Sequence, residues 1–432
     1  MPILARRHTQ SLHRGETSRK VGFSTRYLCL KSRMIILCFI TGLATVGFGL
    51  VLPTFLFYAQ NLGATPAIAT VIIATYSMGQ FIGTPIWGRL SDRIGRKPVL
   101  LISIFGQSIC FVWLAYSSNL WMLAAARFFG GMISGNISTA MAYVADSTDE
   151  KKRAKWLGYI GASVSIGFMI GPALGGLLGG QDASSASLFY PAIVAASLSL
   201  ATGTATLFLL KESLQPENRS PKTKENTSLL KNWGLVFKRP ILMEIILLAM
   251  AMMFVTGSFE TIFPLWTQSR FVWGPIEVGY CMTYIGLIVT LVQVLVVGRI
   301  VPILGEARVI RLTFIGYATG LIIMAQAPSW IIMLLGLTIA ASSGAAFGTA
   351  TSSFVSKVAG DKEKGFVLGV YQSSSWLGRI SGPLAAGVVF GLLGVNAPLY
   401  LGVLVLVPCI IAITIVAKKL DAQKPSSAAK PG

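Results

Sequence analysis

The run Gly88-Arg89-Leu90-Ser91-Asp92-Arg93-Ile94-Gly95-Arg96-Lys97-Pro98 stands between two apolar stretches, 66–87 and 99–116. Its glycines, Gly88 and Gly95, allow a tight reversal and close backbone approach. Asp92 can face a helix N-terminus or a basic side chain, while Arg93, Arg96 and Lys97 can reach carboxylates or lipid phosphates. A short basic loop between two apolar spans belongs on the cytoplasmic face of a membrane.

Outward from this loop the chain keeps the same character. Of its 432 residues, 53% are hydrophobic and only 12% charged, with a mean hydropathy of +0.69. A soluble domain of this length needs charge on its surface, whereas lipid-facing helices are apolar all round. Runs such as Met34–Tyr58 and Leu399–Val416 match the roughly 20 residues that a bilayer core requires. Backbone groups in hydrocarbon must be paired within the segment, so each run predicts a helix. The reading is an all-α membrane protein with twelve spans. All but three of the 36 Lys and Arg fall in segments on one side when both termini are cytoplasmic; the exceptions are Arg127, Arg270 and Arg379. That bias assigns the net charge of +20 to anionic lipid at the inner leaflet and argues against nucleic acid. The expected location is the inner or plasma membrane, as a multi-pass protein. The five cysteines, Cys29, Cys38, Cys110, Cys281 and Cys409, show no short-spaced pair and indicate neither a disulfide framework nor a zinc site.

The chain repeats itself at an offset of 210 to 211 residues. Gly88-Arg89-Leu90 meets Gly298-Arg299-Ile300, Gly95 meets Gly305, Pro53 meets Pro264, and Gly171-Pro172 meets Gly382-Pro383. Matches in the same order indicate duplication of a six-span unit. An even number of spans makes the repeats parallel, related by an axis along the membrane normal. The predicted organisation is a basic tail over 1–33, a six-helix bundle over 34–210, a polar basic linker over 211–240 with a short surface helix near Ser228–Phe237, a second bundle over 241–416, and a tail over 417–432. Residues 1–33 have three readings: a cytoplasmic tail, a transit peptide, or translated sequence upstream of a start at Met34. Paired bundles place a binding site between them at mid-membrane, reached alternately from each side.

The 88–98 run strongly resembles the signature loop of the major facilitator superfamily. The resemblance implies a twelve-helix, two-bundle fold and a cytoplasmic latch that stabilises one access state. Asp146 and Arg153 also match family positions; by resemblance Asp146 pairs with Arg96, and Asp92 faces the start of the eleventh span. The corresponding loop of the second half has Pro302 where Asp92 stands, which implies a weaker latch there.

In the fifth span, Gly167, Gly171 and Gly175 recur every four residues, with Pro172 and Gly176 among them. Small faces let helices approach closely in lipid, and proline favours a kink. The run is similar to a motif of the superfamily's antiporters, particularly the twelve-span drug–proton antiporters, and implies export. Plain helix packing is the alternative.

Charges within spans normally face a cavity or a partner. Arg127, in Arg127-Phe128-Phe129-Gly130-Gly131, resembles a superfamily motif whose arginine is implicated in proton transfer; a structural arginine satisfied by backbone carbonyls is the alternative. Arg379 has no motif role. Glu260 is the candidate proton carrier: burial favours its protonated form, and Phe259, Phe263 and Trp266 supply an aromatic wall. Its depth, close to the outer end of the seventh span, is the competing consideration. Gln80, Asn136, Gln293, Tyr371 and Gln372 are further candidates for a cavity lining, or for bonds between helices.

The leading expectation is proton-coupled export of small lipophilic or cationic compounds by alternating access. The alternatives are transport of one metabolite, such as a sugar or amino acid, and a transporter-like receptor or assembly factor. Expected partners are a small-molecule substrate, protons and membrane lipid, for a monomer without cofactor or metal. The only histidines, His8 and His13, lie in the tail, and no G-x-x-x-x-G-K-[ST] loop is present, so neither a histidine-based catalytic site nor ATP hydrolysis is predicted.

Overall fold

The computed structural model describes residues 3–214, 240–359 and 364–422. Among these, fourteen α-helices follow in chain order: α1 Ile3–Asn61, α2 Pro66–Ile94, α3 Arg96–Ala115, α4 Leu120–Ile133, α5 Asn136–Ser147, α6 Glu150–Gly179, α7 Phe189–Leu209, α8 Pro240–Phe271, α9 Pro275–Val292, α10 Gly298–Leu304, α11 Glu306–Gln326, α12 Trp330–Ala359, α13 Lys364–Leu393 and α14 Ala397–Ala422. A single π-turn, Gln293–Val297, joins α9 to α10. Among the described residues, eleven continuous segments are long and apolar enough to cross a membrane.

The fourth crossing departs from expectation. Residues 120–145, read as one span, are split into α4 and α5 at Ser134-Gly135. The freed backbone groups find partners nearby, as a break inside a bilayer requires. Ser103 Oγ donates to the Ile133 carbonyl at 2.6 Å and accepts from the Gly135 N–H at 3.0 Å. Trp87 Nε1 donates to the Met132 carbonyl at 2.6 Å. Only glycine fits at the break, because a Cβ on Gly135 would lie 2.5 Å from the Trp87 ring.

The first span falls where expected, with Ser32–Asn61 as the membrane-crossing part of α1, while the helix itself continues back to Ile3. Once the apolar part is helical, extension adds one backbone bond per residue fixed, and residues 3–33 contain no proline to interrupt it. The linker from residue 215 onward, with its expected surface helix, and residues 423–432 of the second tail lie outside the described residues.

The two halves show the same internal packing. In the first, α6 lies along α1; in the second, α13 lies along α8. Across the halves, α6 meets α9 and α13 meets α2. Both cross-half contacts sit at the end of the bundle away from the termini. There Gly176 packs against Pro275, Ile276 and Gly279, and Gly387 packs against Ala67 and Thr70. At the other end, Gly158 and Gly161 of α6, Gly298 of α10 and Gly369 of α13 have open space where a Cβ would stand. The halves therefore close at one end and part at the end carrying the loop around Gly95. The core of the second half gathers Trp266, Phe314 and Phe347, all fully buried.

Candidate functional site

Between the halves lies a cavity of about 520 Å³, within the range of small-molecule sites. Its wall draws on α1, α2, α3, α4, α5, α6, α8, α9 and α13. Three charged residues line it: Arg127, Glu260 and Arg379.

Arg127, in α4, is 5% exposed. Its guanidinium carbon stands 4.6 Å from the centre of the Tyr76 ring, 4.9 Å from Phe55 and 5.7 Å from Phe48. Contacts of this kind are worth about 2 kcal/mol when desolvated. The rings surround the guanidinium carbon and cannot accept conventional hydrogen bonds from its N–H groups. Among the described residues, Nε has no hydrogen-bond partner and no carboxylate pairs with the group. The backbone-satisfied arginine considered from sequence is not what is seen.

Glu260, in α8, is joined to Arg379, in α13, by a 2.9 Å contact between Oε2 and Nη2. Their side chains are 58% and 39% exposed. The sequence expectation placed Glu260 in a burial that would favour its protonated form. The structure instead gives the carboxylate an open position on the cavity wall and a guanidinium partner. Arg379, which had no motif to explain it, is that partner. Phe259 and Phe263 line the cavity with ring centres 5.4 Å apart. Trp266 does not: it is fully buried and its Nε1 donates to Asn396 Oδ1 at 2.9 Å.

Gln80 and Asn136 also line the cavity, and Gln80 Nε2 donates to Ser134 Oγ at 3.2 Å. Gln293, Tyr371 and Gln372 are not on its wall. Gln293 falls in the π-turn, and Tyr371 is buried with its carbonyl accepting from Ser374 and Ser375.

The fifth-span glycines divide between two faces of α6. Gly167, Gly171 and Gly175 lie against the α1 backbone at Gly42, Val46 and Leu50, while Gly176 faces α9 across the halves. Pro172 sits between these roles and lines the cavity.

At the open end, Arg96 is 8% exposed and anchors a cluster. It contacts Asp92 at 2.6 Å, Asp146 at 2.7 Å and Ser91 Oγ at 2.6 Å. Glu212, just after α7, accepts from the N–H groups of Arg96 at 2.9 Å and Lys97 at 3.1 Å, capping α3. Lys97 Nζ donates to the Leu207 carbonyl at 2.7 Å, and Arg153 Nη2 to the Ala145 carbonyl at 3.1 Å. Gly95 takes φ +108° and Gly305 φ +78°, a region open to glycine. Gly88 has free space around it, so it does not serve close approach. Asp92 pairs with Arg96; the first side chains of α13, which it is expected to face, lie outside the described residues. In the second half, Lys357 pairs with Glu306, which also accepts from Ser353 at 3.0 Å.

Several lining residues escaped the sequence reading: Phe48, Tyr76, Gln107, Phe168 and Trp376. Tyr76 lies one turn from Gln80 on α2, and Trp376 nearly one turn before Arg379 on α13. The helical spacing that puts such neighbours on one face was the available signal.

Comparison with known proteins agrees with this geometry. The sequence model of the Major Facilitator Superfamily matches residues 37–303 and 271–432. The chain is 30% identical over 360 residues to the class D tetracycline resistance protein of Salmonella ordonez, covering 82% of this chain and 89% of that protein. It is 29% identical over 369 residues to multidrug resistance protein 2 of Bacillus subtilis (strain 168), covering 84% and 90%. The crystal structure of the nucleoside transporter NupG superposes with a TM-score of 0.71 at 14% identity, over 90% of this chain and 98% of that one; this likeness concerns the fold alone.

Proposed function

The chain belongs to the Major Facilitator Superfamily, and on that premise we propose that it exports small lipophilic compounds in exchange for protons by alternating access. The observation that carries this reading is the Glu260–Arg379 pair on the wall of a cavity between the halves. A proton and Arg379 compete for the same carboxylate. Protonation of Glu260 releases the guanidinium into the cavity; loss of the proton lets the pair reform. An exchange of this kind ties the charge of the cavity to the access state without a cofactor. The resemblance to resistance proteins supports export of drug-like compounds.

The distribution of Lys and Arg supports a cytoplasmic location for both termini and for the open end of the cavity. Export then begins with loading from the cytoplasm. Opening to the far side requires parting the Gly176–Gly279 contact and drawing together the helices near Gly95 and Gly305, with Arg96 and Asp146 holding the first-half ends in register. Gly88, Asp92, Arg93, Lys97 and Arg153 belong to the same latch, and Gly167, Gly171, Pro172 and Gly175 to the hinge face of α6.

The test is export of tetracycline or ethidium from cells producing the chain, with and without a proton ionophore. Export that the ionophore abolishes supports the reading. Accumulation equal to that of control cells for both compounds removes it and brings single-metabolite transport forward.

A further inference from the structure

The charges on the cavity wall do not balance. Glu260 is engaged by Arg379, while Arg127 is buried, ringed by three aromatic groups, and without an acidic partner among the described residues. A desolvated guanidinium lacking its counter-charge is strongly unfavourable. Three aromatic rings surround the guanidinium carbon, its Nε–H is buried without a partner, and its remaining N–H groups call for a hydrogen-bond acceptor. Trp376, on the same wall, also holds a buried donor without a partner, its indole N–H, which is closed off from the cavity in this state. The unsatisfied acceptor on the wall is Gln107 Oε1, in an amide that carries donors as well. Unmet donors thus come with net positive charge. The walls around them, with Phe48, Phe168, Phe259 and Ile285, are apolar and aromatic.

We propose that the cavity takes an amphiphilic organic anion, or a zwitterion that turns its acidic group toward Arg127, with its apolar body against the aromatic wall. The proposal rests on the reading of this cavity as the transport site, and it fixes the substrate class within that reading. A carboxylate or enolate supplies the missing counter-charge and accepts two parallel N–H bonds from the guanidinium edge, a geometry that lysine cannot offer. A lipophilic cation finds no such complement, because the acid it would need already holds Arg379.

The test is equilibrium binding of two probes with one fluorophore to the purified full chain in detergent. Dansylglycine carries a carboxylate and dansylcadaverine an ammonium. The expected result is binding of dansylglycine at least about tenfold tighter, the scale of one charge-assisted contact. Arg127→Met removes that preference and Arg127→Lys retains part of it. Glu260→Gln moves the other way, tightening dansylglycine by freeing Arg379. Equal affinities, tighter binding of dansylcadaverine, or binding of neither probe overturns the proposal. So does a preference that Arg127→Met leaves intact. Should Arg127→Met fail to fold, the wild-type ranking and Glu260→Gln decide it. Binding is read without transport, so the two readings fail separately. A chain that ranks the probes as expected yet drives no proton-linked export refutes export alone; proton-linked export of dansylcadaverine without binding of dansylglycine refutes the anion site alone.

Discussion

Arg96 and Glu306 hold corresponding places in the two halves and carry opposite charges. Each follows a glycine of positive φ, Gly95 or Gly305, and opens the third crossing of its half. Each pairs with a residue near the end of the fourth crossing, Asp146 or Lys357, at the repeat's own offset. The second-half latch, expected to be weaker because Pro302 replaces the aspartate, therefore keeps an ion pair with its charges exchanged.

Each pair holds one nearly buried side chain, Arg96 at 10% exposed and Glu306 at 13%, but their partners differ: Asp146 is 25% exposed and Lys357 66%. Breaking a buried pair costs about 3 kcal/mol or more, whereas exposed pairs are worth about 0.5 kcal/mol. Arg96→Gln is expected to lower the melting temperature in detergent far more than Lys357→Gln. Reversing the second pair, Glu306→Lys with Lys357→Glu, is expected to recover what each single change removes.

Glu212 ties the start of the linker to the loop by accepting both first N–H groups of α3. Glu212→Ala leaves those donors unmet at a helix N-terminus. A loss of about 1 kcal/mol is expected from the missing cap. Hydrogen exchange of the Arg96 and Lys97 amides, faster in the variant, checks it.

At the closed end, a side chain on Gly176 would place its Cβ 2.5 Å from the Pro275 carbonyl. Gly176→Val is expected to wedge α6 from α9 and to shift the chain toward the state open at that end. Labelling of a cysteine placed at Ile276 by an impermeant maleimide rises in the Gly176→Val background, while the same cysteine in an otherwise unchanged chain stays protected.

The break in the fourth crossing makes a further demand. Gly135→Ala drives a methyl into the Trp87 ring, and overpacking of this kind costs about 1–3 kcal/mol. A Trp87→Ala change in the same chain is expected to relieve part of that loss, read as a partial recovery of melting temperature.

The fold was legible because lipid imposes a simple rule: long apolar runs with basic residues on one side become spans. Repetition of Gly171-Pro172 as Gly382-Pro383 was equally visible in the letters. The site was legible only in part. Arg127, Glu260 and Arg379 announced themselves as charges in apolar runs, but 119 residues separate Glu260 from Arg379, and no local spacing reveals that they meet. Tyr76 and Trp376 went unnoticed because an aromatic residue in a span is ordinary, and only the third dimension shows which face it occupies. Ser134-Gly135 looked like helix interior because the partners that accept the break, Ser103 and Trp87, come from other helices.

The most direct test of the central claim is substrate-driven proton movement in proteoliposomes containing the wild-type chain, Glu260→Gln or Arg379→Gln, with a pH dye inside. The account predicts that adding an exported compound moves protons through the wild type, that Glu260→Gln abolishes this movement while still binding the compound, and that Arg379→Gln uncouples it in part. Undiminished proton movement through Glu260→Gln would contradict the account, because the exchange between a proton and Arg379 at that carboxylate would then not be what couples the two fluxes.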